Sequence, residues 1–216
     1  MTGLIYKDIA ALRKQLSTLL LFLVVYGGFC VTGVFDFSIL GALVAVFGLT
    51  IPMSSVALDD AAHWDRYAVA TPAGRRGVVA GKYVFTLLVV VVSVAVAAGL
   101  MVCLSLAGLT ETTLDDLVLI VLSCGALTLV LDAIILPFLL KYGAEKARVI
   151  SMVTFVAIFG SAVLLGGLAR DQISLPQPPA WLLTALPVLC GLLAIGGYLI
   201  SYFIAQIGRA SCRERV

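Results

Sequence analysis

Residues 84–109 read VFTLLVVVVSVAVAAGLMVCLSLAGL and contain no charged side chain. At about 1.5 Å per helical residue this run exceeds the roughly 30 Å of a hydrocarbon core. Five similar runs accompany it: Ser17–Phe35, Phe37–Leu58, Leu117–Leu140, Val149–Ala169 and Ala180–Gln206. Inside a bilayer no water satisfies a loose backbone, and runs near 20 residues are about twice what a barrel strand needs. The chain therefore reads as an all-α polytopic membrane protein with six transmembrane helices.

Composition supports that class. Of 216 residues 62% are hydrophobic and 12% charged, and the mean hydropathy is +1.16. So few polar residues cannot cover a water-soluble fold. The first run is read as a retained span, because an amphipathic stretch precedes it and no A-x-A-like cleavage site follows. Cys30, Cys103, Cys124 and Cys190 stand singly within apolar runs and read as small buried hydrophobes. Residues 1–206 read as a single domain. The tail 207–216, IGRASCRERV, breaks the apolar pattern and resembles a translated sequencing-adapter oligonucleotide. It is set aside, and a continuous genomic read through these codons would restore it.

Ten basic residues flank alternate ends of the runs on one side: Lys7, Arg13, Lys14, Arg66, Arg75, Arg76, Lys82, Lys141, Lys146 and Arg148. On the opposite side only Arg170 is basic, among Asp36, Glu111, Asp115, Asp116 and Asp171. The positive-inside rule then places both termini in the cytoplasm. Tight turns are predicted at Asp36 and at Lys141–Arg148. The prolines at 176, 178 and 179 predict an extended connection over Arg170–Pro179, with Trp181 as an interfacial anchor.

Two segments outside the bilayer carry information. In residues 3–16, Ile5, Ile9, Leu12 and Leu16 line one helical face, with Lys7 and Lys14 opposite and Arg13 on the flank. That predicts an interfacial amphipathic helix with its basic side towards anionic headgroups. The largest cytoplasmic loop, Asp59–Lys82, lacks helix breakers in its first part, and Thr71-Pro72 then turns the chain. Its first part predicts a short helix carrying Trp64 and Tyr67 beside Asp65 and Arg66. Aromatic anchors with a polar rim suit protein docking; the same residues also suit a helix resting in headgroups.

No G-x-x-x-x-G-K-[ST] phosphate loop occurs, so the chain is not read as an ATPase or other enzyme. His63, the only histidine, follows Asp59 and Asp60 and reads as surface polar chemistry. A membrane-embedded protease needs clustered His and Glu, and no such cluster lies in the runs. Asp132 differs, because it lies within the fourth run. A charge there costs about 2.5–3.5 kcal/mol even on lenient insertion scales, so it must face protein or a polar path. It reads either as a substrate or gating contact or as an interhelical hydrogen bond. Pro137 frees a carbonyl near Ala133 and predicts a local kink.

Several of these segments together resemble one family, the ABC type-2 transporter permeases, in its small six-span bacterial members. The opening Leu4-Ile-Tyr-Lys7-Asp8 is similar to the family's first interfacial helix. Trp64-Asp-Arg-Tyr67, Thr71-Pro72, Arg75-Arg76 and Gly81-Lys82-Tyr83 resemble its first cytoplasmic loop. Leu136-Pro137-Phe138 through Lys141-Tyr142-Gly143-Ala-Glu145-Lys146-Ala-Arg148 resembles its second. The resemblance implies a permease subunit of an ATP-driven exporter in the bacterial cytoplasmic membrane. It would pair with a second permease, identical or different, and with ABC ATPase subunits. ATP and Mg would reside in those partners, with no cofactor in this chain. Coupling to the ATPase would fall near Asp59, Asp60, Trp64, Asp65, Arg66 and Tyr67, with Arg75, Arg76 and Lys82 supporting the loop against headgroups. Lys141, Glu145, Lys146 and Arg148 would form a second contact. Membrane lipids are further partners; nucleic acid is not. The competing reading is a non-transporting scaffold or immunity protein that sequesters a toxic peptide.

Overall fold

The computed structural model describes residues 2–32, 38–64, 67, 74–106, 108, 114–172 and 180–211. Seven helices account for nearly all of them: α1 Thr2–Ala11, α2 Arg13–Val31, α3 Ser38–Ala61, α4 Gly74–Leu106, α5 Leu114–Tyr142, α6 Ala144–Gln172 and α7 Ala180–Ser211. Ile39–Ala61, Gly77–Leu106 and Val118–Tyr142 are each long and apolar enough to cross a membrane. Ser17–Val31 and Cys190–Gln206 are shorter apolar stretches.

Several boundaries differ from the sequence reading. The amphipathic pattern over residues 3–16 splits at Leu12, which leaves helical geometry (φ −90°, ψ 0°), so Arg13, Lys14 and Leu16 belong to α2. Asp59 and Asp60 do not open a loop, because apolar α3 continues through them to Ala61. His63 ends that helix with a φ of 49°, a conformation that costs roughly 1–2 kcal/mol for an L side chain. Arg170, Asp171 and Gln172 extend α6 rather than starting an extended connection. The predicted turn at Asp36, the proline-rich stretch 173–179 and Glu111 lie outside the described residues. α5 runs through Pro137 and α3 through Pro52, whose missing N–H groups leave the carbonyls of Ala133 and Gly48 without their helical donors.

α5 is the hub, packed against α3, α4, α6 and α7. Towards its C-terminal end Leu136, Leu139, Val56, Val79, Tyr83 and Tyr198 form one core cluster. Towards its N-terminal end Leu40, Val44, Met101 and Val121 form another. Lipid tails are as apolar as leucine, so helices associate in membranes through close approach at small residues. A Cβ at Gly125 would lie 2.7 Å from Val94 Cγ2, and one at Gly41 2.9 Å from Cys124 Sγ. At Gly48 it would press on Thr128 Cγ2, a stiff β-branched neighbour. Gly48→Ala is accordingly expected to lose about 1–3 kcal/mol through overpacking, read as a lowered unfolding midpoint in detergent; an unchanged midpoint would mean that α3 and α5 separate without penalty.

Candidate functional site

Ser55 and Asp59 lie one turn apart on α3 and so share a face. α1 packs on α3 and α4, bringing Lys7 and Asp8 to that face, while α4 brings Lys82. Lys82 Nζ lies 3.0 Å from each carboxylate oxygen of Asp8, 2.7 Å from Asp59 Oδ2 and 2.5 Å from Ser55 Oγ. Lys7 Nζ lies 2.5 Å from Asp59 Oδ1 and 3.3 Å from Asp8 Oδ1. Each ammonium therefore meets both carboxylates, and the four groups close a ring of alternating charge. Asp8 is 4% exposed and Lys82 7%. Burying such charges is expensive, and only a fully paired arrangement offsets the lost hydration.

The ring reaches outwards through Lys7, whose Nζ also stands 4.3 Å from the centre of the Trp64 ring. A cation over an indole face contributes about 0.5–2 kcal/mol, more as water is excluded. Trp64 lies 6.4 Å from Tyr67 between ring centres, and Tyr67 is exposed. Asp8, Lys82 and Asp59 thus connect three helices to an aromatic pair at the molecular surface.

Asp60, the next residue on α3, joins a fourth and a fifth helix. Gly143 ends α5 with a φ of 82°, its N–H donating to Leu139 O, and its own carbonyl accepts from Ala147 N in the first turn of α6. A glycine in that capping position has no side chain to offer the free N–H groups of the new helix. Asp60 supplies the acceptor from outside: Ala144 N donates to its Oδ2 at 2.8 Å. The carboxylate also faces the positive end of the α6 dipole. Asp60→Ala is expected to lose about 0.5–2 kcal/mol as a missing N-cap, and Gly143→Ala a comparable amount, since alanine would have to keep the positive φ of 82° with its Cβ 3.1 Å from Asp60 Oδ2. Unfolding midpoints of the two variants check this; wild-type values would remove Asp60 from the α5–α6 joint.

Deeper in the bundle, Asp132 is 2% exposed and its Oδ2 has no hydrogen-bond partner among the described residues. Leu49, Leu131 and Ile135 pack together at its level, with Phe155 against them. A polar seam lies nearby between α4 and α7. The Tyr198 hydroxyl donates to Tyr83 O at 2.7 Å, Tyr83 and Ser201 share a hydrogen bond of 2.8 Å, and the Thr86 hydroxyl donates to Lys82 O. The seam therefore begins one turn from the charge ring.

The remaining sequence-derived residues distribute unevenly. Asp65 and Arg66 lie outside the described residues, and Arg75 and Arg76 occupy the first turn of α4 without described side chains. Lys82 does not support a loop against headgroups; it lies within α4 and turns into the ring. Lys7 likewise turns inwards rather than towards headgroups. Lys141 sits 5.2 Å over the ring of Tyr142, and Glu145, Lys146 and Arg148 are exposed along the start of α6. No sequence motif marks Ser55 or the pairing role of Asp8. The Lys7-Asp8 doublet was visible, but nothing in the chain marks its partner 74 positions away. Among the described residues no three His, Cys, Asp or Glu side chains are placed to hold a metal.

Through Lys7 and the ring, the geometry joins α1, α3 and α4 to the aromatic pair Trp64 and Tyr67. The family model described as ABC-2 family transporter protein matches residues 3–207, and the chain belongs to that family of membrane transport permeases. Permeases of this family are membrane components that work with ABC ATPase partners. No curated protein and no solved structure matches the chain.

Proposed function

We propose that this chain is the transmembrane subunit of an ATP-driven exporter in the bacterial cytoplasmic membrane, with six spans and both termini in the cytoplasm. Hydrolysis of ATP with Mg takes place in a separate ABC ATPase, and a second permease subunit completes the pathway. The observation that carries this reading is the link from Trp64 through Lys7 into the ring that joins α1, α3 and α4. A push on the aromatic pair is delivered to three helices at once, and Asp60 passes it to the α5–α6 turn. Co-purification from the native host, followed by mass spectrometry, tests it. A P-loop ATPase recovered with the wild type supports export. None recovered from folded protein would favour a sequestering scaffold instead.

Asp132 is proposed as an intramembrane contact of the transport path. Oδ2 of this buried carboxyl has no hydrogen-bond partner among the described residues, so Asp132→Leu, which removes a desolvated polar group, is expected to fold at least as stably as the wild type. It is also expected to lose transport at matched protein levels, with Asp132→Asn intermediate. Full transport by the leucine variant would reduce Asp132 to packing.

A further inference from the structure

α2 packs chiefly against α1 and α3 and stands away from α4. The space left between these four helices is a groove of about 260 Å³, and every side chain lining it except Ser93 is apolar. Its inner wall along α4 runs from Phe85 to Val96. The eleven helical steps between them, at 1.5 Å each, make that wall about 16 Å long. Half of a roughly 30 Å hydrocarbon core is about 15 Å, so the groove is one leaflet deep. Ile9 and Leu12 of α1 close the end near the interface, while Val92 and Val96 leave the side open towards lipid. Arg13, exposed, follows Leu12 directly at that closed end.

We propose that the groove binds one acyl chain of an anionic phospholipid, whose phosphate is held by Arg13. The length matches a single chain in the leaflet that carries α1, and apart from Ser93 the lining is apolar and offers a headgroup no partner. A guanidinium recognises phosphate oxygens through paired N–H donors. The negative headgroup rests on the orientation proposed above, because the cytoplasmic leaflet is the anionic one. Such a lipid fills the space between α2 and α4 and braces α1 against the bundle.

The test uses the full chain reconstituted in vesicles with phosphatidylglycerol or phosphatidylcholine carrying a photoactivatable group on one acyl chain. Cross-linked peptides are then mapped by mass spectrometry. Cross-links should concentrate on the groove walls of α2 and α4 over the exposed α6 face at Val149 and Val156. Phosphatidylglycerol should label these walls about fivefold more than phosphatidylcholine, equivalent to ~1 kcal/mol for one basic residue at an anionic surface. Arg13→Gln should erase that headgroup preference, and Ser93→Trp should cut groove labelling while sparing α6. Equal labelling of groove and α6 would overturn the proposal as ordinary annular lipid. So would equal labelling by both headgroups, or protein–protein cross-links in place of lipid adducts in the groove. No ATPase takes part, so this result stands apart from the fate of the export reading.

Discussion

Lys82→Met is expected to lower the unfolding free energy by about 3–5 kcal/mol, the usual consequence of removing one partner from a buried charge pair. The methionine keeps the length of the stem but leaves Asp8, 4% exposed, without the ammonium that meets both its oxygens at 3.0 Å. Lys7, 3.3 Å from Asp8 and closer to Asp59, cannot replace it without abandoning Asp59. The double variant Asp8→Leu with Lys82→Met removes a complete pair and leaves Lys7 on Asp59. It is expected to regain most of the loss, because replacing a buried pair by apolar side chains is often neutral. Equilibrium unfolding of the three proteins in mixed micelles reads both effects. If the single and double variants are equally destabilised, the loss comes from packing around Lys82 and not from charge. If neither is destabilised, water screens the ring and it fastens nothing.

The second large effect concerns association. Trp64→Ala together with Tyr67→Ala is expected to weaken capture of the ATPase subunit by about 2–4 kcal/mol, roughly 30- to 1,000-fold, as for paired aromatic anchors at an interface. The single variants separate docking from internal fastening. Tyr67 is 65% exposed, so its truncation should lower binding and leave stability unchanged. Trp64 also carries Lys7 at 4.3 Å, so its truncation should cost both binding and about 0.5–2 kcal/mol of stability. Binding of the purified ATPase to the detergent-solubilised variants supplies the numbers. Wild-type affinity in the double variant would move the coupling surface elsewhere, with the exposed start of α6 at Glu145, Lys146 and Arg148 the next place to probe.

Local features were legible in the chain. The sequence places a tight turn over Lys141–Arg148, and the structure narrows it to Gly143, with Glu145, Lys146 and Arg148 already helical. The break at Leu12 was not legible, because an apolar face at helical spacing runs straight across it. The family resemblance implies coupling at Asp59 and Asp60 in a loop, whereas both lie on α3. They remain in the site because α3 extends far enough to present one to the ring and the other to α6. The family resemblance implies that Lys82 supports the loop against headgroups. Here α1 lies over it and supplies a carboxylate in place of water.

The sequence by itself determined the helical class, the length of the apolar segments and the crowding of basic residues at alternate ends. Each of these follows from the cost of exposing backbone and charge to hydrocarbon, a cost paid residue by residue. Only the tertiary structure decided which charges meet. Lys7, Asp8, Asp59 and Lys82 form a ring because α1 crosses α3 and α4 at one level, and Coulomb energy depends on the few ångströms that such packing sets. No spacing along the chain encodes that distance.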